Sequence, residues 1–152
     1  MSGPIILDSG PWGLVTQRPG KSQRADDCQA WLHQVIAKGR LVYVPEIVDY
    51  EVRREISRAG NAAGLQRMDV FLKTLEYLPI NTPAIRLAAD LWGQIRNANL
   101  TTAHPHALDG DVILCAQVLS WLPALVSPVV ATVNAAHISR FLPADLWENI
   151  TP

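Results

Sequence analysis

The 152-residue sequence has no excess of basic charge, no long apolar segment and no paired-cysteine motif. Its net charge is −1, so any nucleic-acid-binding surface must be local. No apolar run approaches the roughly 18 residues of a membrane span, and the N-terminus lacks the basic-then-apolar layout of a signal peptide. Cys28 and Cys115 are far apart, without CxxC or Cys/His spacing. We therefore expect reduced thiols, a cytoplasmic protein without a membrane segment, and no zinc site.

Several signatures of phosphate chemistry are also missing. Neither GxGxxG nor GxxxxGK[ST] occurs, which argues against a dinucleotide-binding Rossmann domain and a P-loop enzyme. Asp8 is followed by Ser9 and Gly10, so the D-x-D motif of a haloacid-dehalogenase-type enzyme is absent. No lysine follows Lys73, although a receiver domain needs one late in the chain.

Apolar residues make up 49% of the chain, enough for a sizeable core, and its length suits one domain over residues 1–152. Short apolar runs alternate with stretches of helical periodicity, which predicts an α/β fold. Its central parallel sheet would have four to five strands flanked by helices. The predicted strands are 4–7, 40–44, 77–80 and 128–133, with an edge strand near 146–150. The predicted helices are 21–38, 45–59, 62–75, 83–98 with Thr82 as its cap, 111–122 and a short one after Asn134, with loops at 15–20 and 99–110.

Three acidic residues lie beside or within segments that are predicted to be buried, where a charge is unfavourable. Asp8 follows the first predicted strand, at the edge of a parallel sheet where ligands bind. Glu51 projects into the apolar arc of the helix 45–59, where a lone carboxylate is costly unless it is paired or binds a cation. A hydrogen bond from a buried donor would explain Glu51 equally well. Glu55 projects near the same arc, but closer to the helix end and to solvent.

The third acid lies in the segment LDGDVILCAQVL, residues 108–119. Asp111 falls in the first turn of the predicted helix and Asp109 just before it. Acids at a helix start commonly cap free N–H groups, and we favour that interpretation for Asp109. Two acids spaced D-x-D can instead supply one metal site.

Asp8, Glu51 and Asp111 come from three separate segments and have a reason to converge. Carboxylates brought together raise one another's pKa values, and a divalent cation removes that conflict. Oxygen-only ligands favour Mg²⁺ or Mn²⁺ over zinc. Such a centre suits phosphodiester hydrolysis.

Four segments together resemble the PIN-domain family, and most of all the VapC-type toxin ribonucleases. They are IILDSGPWG, PEIVDYEVRRE, DGDVILCAQVL and ATVNAAHISRF, which follow the order of the family's motifs over nearly the whole chain. The resemblance implies a three-layer PIN-like fold and an endoribonuclease dependent on Mg²⁺ or Mn²⁺. It also implies a homodimer that is inhibited by a cognate antitoxin protein.

The resemblance further implies roles for individual residues. Asp8, Glu51 and Asp111 would hold the metal, while Ser9 and Thr132 would support the site through their hydroxyl groups. Many PIN domains carry a fourth acid after the last strand, where this chain has Asn134. An amide can orient water but supplies no charge, so Asp109 is a candidate for the missing carboxylate.

A basic group follows the first strand: Arg18, Lys21 and Arg24. These residues are either an ordinary solvated surface or contacts to the RNA backbone near the mouth of the site. A PIN-fold protein that binds RNA or acts as a scaffold without cleaving is the alternative to a nuclease.

Overall fold

The computed structural model describes residues 2–98, 105–123 and 126–152. The described residues form five strands, six α-helices and two short 3-10 helices. The strands are β1 (Ile5–Leu7), β2 (Val42–Pro45), β3 (Glu76–Leu78), β4 (Val129–Thr132) and β5 (Ala144–Leu146). The α-helices are α1 (Ser9–Val15), α2 (Gln23–Ala37), α3 (Glu46–Arg58), α4 (Ala62–Leu72), α5 (Thr82–Asn97) and α6 (Pro105–Trp121), and the 3-10 helices are Ile138–Arg140 and Trp147–Asn149.

The five strands form one parallel sheet in the order β3-β2-β1-β4-β5. β1 lies at its centre and is fully buried, because helices cover both faces of the sheet. The predicted parallel α/β architecture is therefore confirmed. Since all strands run in one direction, the residues that follow β1 and β4 meet at the same edge. No helix in the described ranges is long and apolar enough to cross a membrane.

The structure contains a helix after β1 that the sequence did not predict. Residues 9–15 form α1, with Asp8 as its N-cap. Two glycines and a proline in seven residues hid this helix, because both residue types are poor helix formers. Burial of Trp12 against the core and the hydrogen bond from the backbone N–H of Trp12 to the Asp8 carbonyl (3.0 Å) stabilise it.

A second correction concerns α6, which begins at Pro105 and not at Asp111. Proline suits a first helical position because its missing N–H has no partner there anyway. The predicted loop 99–110 is thus wrong for 105–110, while 99–104 lie outside the described residues. Asp109 and Asp111 consequently lie within a helix, which excludes the interpretation that either one caps its start.

The remaining differences are shifts of element ends. Asn81, and not Thr82, caps α5, because its side chain accepts a hydrogen bond from Ala84 N–H (2.8 Å). The last strand covers 144–146, whereas 146–150 was predicted. The apolar residues Trp147 and Ile150 do not extend the strand but pack against α2. Trp31 of α2 contacts the Trp147 ring and donates a hydrogen bond to the Ile150 carbonyl (2.8 Å).

Candidate functional site

Asp8 is held in place at the carboxyl end of β1 by two donors. The backbone N–H of Ser9 donates to Oδ1 (2.8 Å), and the hydroxyl of Thr132 donates to Oδ2 (2.7 Å). Thr132 is the buried last residue of β4, the strand that pairs with β1. Burial raises the pKa of Asp8, and the two hydrogen bonds partly oppose that rise. The carboxylate is therefore fixed in orientation but desolvated.

Gly10 allows this arrangement because α1 lies directly against the residue after Thr132. A side-chain Cβ at Gly10 would lie 2.7 Å from both γ-carbons of Val133. With any larger residue at position 10, either the Val133 side chain or α1 would have to shift. Close packing against Val133 thus explains why glycine occupies position 10, where a D-x-D motif would need an aspartate.

Glu51 projects from α3 across the backbone of α6. A Cβ built on Gly110 would lie 3.1 Å from each carboxylate oxygen of Glu51, so only glycine leaves ordinary room there. The pKa of Glu51 is raised, first by burial and then by the charge of Asp8, while Arg54 acts in the opposite direction. Glu55, one turn further along, is exposed and pairs with Arg58 (2.8 Å).

Asp111 lies one residue beyond Gly110 on α6. Its pKa is raised to about 7, first by burial and then by the charges of Asp8 and Glu51. Cys115, one helical turn further along, is fully buried, and its pKa is also raised, by burial and then by Asp111 and Asp8. Acids separated by more than a hundred residues of sequence therefore lie within one another's electrostatic field.

The three acids differ in how their charge is balanced. Asp8 has its two donors, but within the described residues no hydrogen bond or ion pair reaches the side chain of Glu51 or Asp111. Sequence reasoning allowed a buried donor for Glu51, and only the more distant charge of Arg54 acts in that sense. Protonation or a bound cation would relieve the remaining repulsion.

The chemistry of these donors fits a hard divalent cation, but their placement is not yet that of a formed site. Among the described residues, no group of three Asp, Glu, His or Cys side chains is arranged to hold a metal ion. The two observations differ because charges act over several ångströms, whereas Mg²⁺ needs its ligands at about 2.1 Å. The carboxylates are close enough to affect one another's pKa values, and an ion would have to draw them together.

The other residues expected at the site have distinct positions. Ser9 contributes its backbone N–H to Asp8, whereas the expectation was a hydroxyl contact. Asn134 donates its backbone N–H to the Thr132 hydroxyl (3.1 Å), and its side-chain oxygen accepts from Ala136 N–H (3.2 Å). Asn134 thus shapes the turn after β4. Asp109 is exposed and borders a cavity with Glu51 between α3 and α6.

The basic group lies beyond α1 along the chain. The seven residues of α1 separate Arg18, Lys21 and Arg24 from Asp8 along the chain, a helix length of about 10 Å. Arg24 also pairs with Glu148 (3.3 Å). Their contact with RNA stays a prediction.

Sequence reasoning missed a buried polar residue that positions α3. Gln117 is fully buried, and its side chain accepts from Ile47 N–H (3.2 Å) and donates to the Leu78 carbonyl (2.6 Å). Pro45 offers no side-chain cap to α3, so Gln117 supplies one from α6. The available signal was a glutamine within the apolar run VILCAQVL.

The fold is shared with chains of the solved VapBC and FitAcB structures. No family model and no curated protein matches the sequence. The structure of VapBC2 from Rickettsia felis bound to a promoter DNA fragment matches with a TM-score of 0.71 at 15% identity, covering 94% of this chain and 98% of that one. DNA-bound VapBC from Salmonella typhimurium matches at 0.66 and 16% identity (97% and 99% covered), and FitAcB from Neisseria gonorrhoeae at 0.62 and 19% (96% and 99%). At such identities the likeness shows the fold alone, and it confirms the predicted PIN-like arrangement.

Proposed function

We propose that this chain is a Mg²⁺- or Mn²⁺-dependent endoribonuclease and the toxin of a toxin–antitoxin pair. The observation that supports the activity is the coupling of Asp8, Glu51 and Asp111 at one edge of the sheet. Burial raises the pKa of each of these carboxyl groups. The charge of Asp8 adds to the rise for Glu51, and the charges of Asp8 and Glu51 add to the rise for Asp111. A structural role would be better served by apolar residues at these positions.

The proposal gives each acid a task. Asp8, oriented by Ser9 and Thr132, is the fixed ligand, and Glu51 and Asp111 complete the set from two helices. When bound, the cation would activate water and neutralise charge at the phosphorus. Because the pKa of Asp111 is about 7, part of the metal-free protein holds a proton there near neutral pH, and metal binding would release it.

The toxin assignment and the partners rest on the fold likeness together with the acids. The similar structures are complexes named for two components, and the acidic cluster favours the nuclease component for this chain. We accordingly propose an antitoxin protein as partner, a homodimer, and RNA as substrate.

The test is cleavage of total cellular RNA with Mg²⁺ or Mn²⁺, with the ends mapped by sequencing. Metal catalysis contributes several kcal/mol, so Asp8→Asn should lose at least about 100-fold in rate. Asp90→Asn, the same change on the exposed side of α5, should cleave like the unaltered chain. Equal cleavage by Asp8→Asn would refute the proposal.

One observation favours the alternative of a non-cleaving RNA-binding or scaffold protein. No described group of side chains is already arranged around a metal position. RNA binding without cleavage in either ion, at any metal concentration tested, would support that alternative.

A further inference from the structure

A cavity of about 490 Å³ lies between α3 and α6, directly beside the acidic cluster. Glu51 forms part of its wall, and Gly110 keeps the α6 side open because it has no side chain. Ile47 and Ile113 supply apolar surface, and Tyr50 and Arg54 lie on the α3 side. The space has the size and mixed lining of a small-ligand site.

Tyr50 is the aromatic group of this cavity and is the neighbour of Glu51 in the chain. Its side chain is 56% exposed, although large aromatic residues are usually more buried. The guanidinium of Arg54, one turn along α3, lies 5.3 Å from the centre of the Tyr50 ring. Contact with Arg54 holds the ring in place while much of its surface remains open.

Arg54 is also the least restrained of three arginines on α3. Arg53 is held by Asp49 and Asp69 (3.1 and 2.9 Å) and Arg58 by Glu55 (2.8 Å). The ion pair of Arg54 with Glu55 is long, at 3.9 Å. The positive charge of Arg54 nevertheless reaches Glu51, because it lowers the pKa of that carboxyl group against the effect of burial.

We propose that Tyr50 and Arg54 form a subsite for one unpaired nucleotide of single-stranded RNA, next to the bond to be cut. The inference rests on the proposed nuclease function and adds its substrate class. An unpaired base stacks on the open surface of the Tyr50 ring, and Arg54 contacts the adjoining phosphate. Stacking on an aromatic ring suits any base, so the subsite selects for single strands and not for a sequence. Arg54 offsets the repulsion between phosphate and the acids.

The chain offers a matched control on α5. Arg96 lies 5.4 Å from the ring centre of Trp92, which is 37% exposed, so the same type of pair occurs at the same spacing. The cavity beside Trp92, about 240 Å³ between α5 and α6, shares Asp109 and Ile113 with the first cavity. It is not lined by Asp8, Glu51 or Asp111. An effect common to exposed aromatic residues would appear in both pairs.

Binding is measured by fluorescence anisotropy with a labelled single-stranded RNA of ten nucleotides, in the Asp8→Asn background to prevent cleavage. Base stacking on an aromatic side chain is worth about 1–3 kcal/mol, so Tyr50→Ala should weaken binding by roughly 5- to 150-fold. Tyr50→Phe keeps the ring and should bind within about twofold, and Trp92→Ala should bind unchanged. Arg54→Gln should reduce the salt slope of binding by about 0.7, the value for one single-strand phosphate.

A strand of the same length without bases separates stacking from charge. The Tyr50→Ala change should not alter the affinity of the protein for this baseless strand, nor its affinity for duplex RNA. The inference is overturned if Tyr50→Ala binds the intact strand normally, if Tyr50→Phe is equally harmful, or if the loss persists with the baseless strand.

Its failure is distinguishable from failure of the proposed function. If the unaltered chain cleaves RNA and Tyr50→Ala cleaves with unchanged KM and kcat, the subsite is wrong and the nuclease stands. If the unaltered chain neither binds nor cleaves RNA, both are wrong.

Discussion

Helix α3 carries two inward-facing acids only two residues apart, and their surroundings differ sharply. Asp49 is 7% exposed, and both of its carboxylate oxygens accept hydrogen bonds. Arg53 donates to both of its oxygens (3.1 and 3.4 Å), and the Tyr77 hydroxyl donates to Oδ2 (3.1 Å). Glu51 lies across the backbone of Gly110, and its pKa is raised first by burial and then by the charge of Asp8.

Asp49 is therefore a structural acid, whereas Glu51 is an acid whose charge the protein does not fully compensate. At Asp49 the protein supplies its own counter-charge, so the carboxylate joins α3 to Arg53 and β3. At Glu51 the nearby groups of opposite charge do not compensate burial and repulsion, and an external cation would do so. Asp49 is the more buried of the two acids, so it is the presence of donors and not the degree of burial that makes it structural. Changes to the two groups should therefore have opposite effects.

The largest effect on stability is expected from substitution of Asp49, the acid that is hydrogen-bonded within the protein. Asp49→Ala leaves the Tyr77 hydroxyl without its acceptor and Arg53 with only its exposed partner Asp69, and hydrogen bonds to charged groups contribute about 1.5–3 kcal/mol. The free energy of unfolding in urea should fall by about that amount, with the metal affinity of the folded protein retained. Asp69→Ala removes the exposed partner of Arg53 and should cost less than about 1 kcal/mol. Equal losses in the two variants would contradict the distinction.

A smaller effect is expected where the protein orients Asp8. Thr132→Val keeps the shape of the side chain but removes the hydroxyl that donates to Oδ2. Groups that orient a metal ligand are typically worth 10- to 100-fold in affinity, and we expect about tenfold for Mn²⁺ by calorimetry. Thr16→Val removes another buried hydroxyl, bonded to the Trp12 carbonyl (2.9 Å), and should leave affinity unchanged. An unaltered Mn²⁺ affinity in Thr132→Val would mean that Asp8 needs no such support.

The smallest effect concerns the dependence of stability on pH without metal. The pKa of Asp111 is about 7 in the folded chain against an ordinary 3.8, so the folded state binds this proton more tightly than the unfolded state. Its contribution to stability is present at low pH and is lost as pH rises towards and through 7. In EDTA, Asp111→Asn should therefore melt at least about 2 °C higher than the unaltered chain at pH 8, a shift that corresponds to ~1 kcal/mol.

Near pH 5 the advantage of Asp111→Asn should be much smaller. A variant that melts lower than the unaltered chain at pH 8 would show that Asp111 stabilises the fold, as Asp49 does.

The sequence was sufficient for the sheet because parallel strands buried on both faces appear as continuous apolar runs. It also located the three acids, since a charge after a buried strand or inside an apolar arc is visible in one dimension. Donors contributed by other elements are not visible there, so the helical projection could not separate Glu51 from a satisfied acid such as Asp49.

The elements that sequence reasoning missed depend on tertiary contacts. Helix α1 forms despite poor helix formers because Trp12 is buried, and Gly110 fits inside α6 because Glu51 lies across it. The role of Gln117 depends on its hydrogen bonds to the Leu78 carbonyl and the Ile47 N–H, which are 39 and 70 residues away in sequence. Such features follow from packing and not from local propensity.

The central claim is that the acids without sufficient counter-charge form a cation site. Titration of Mn²⁺ into the metal-free protein at pH 7, in two buffers of different ionisation enthalpy, tests it most directly. We predict binding by the unaltered chain with release of protons, and loss of that binding in Glu51→Gln while the fold is retained. No binding by the unaltered chain, or the same isotherm in Glu51→Gln, would contradict the claim.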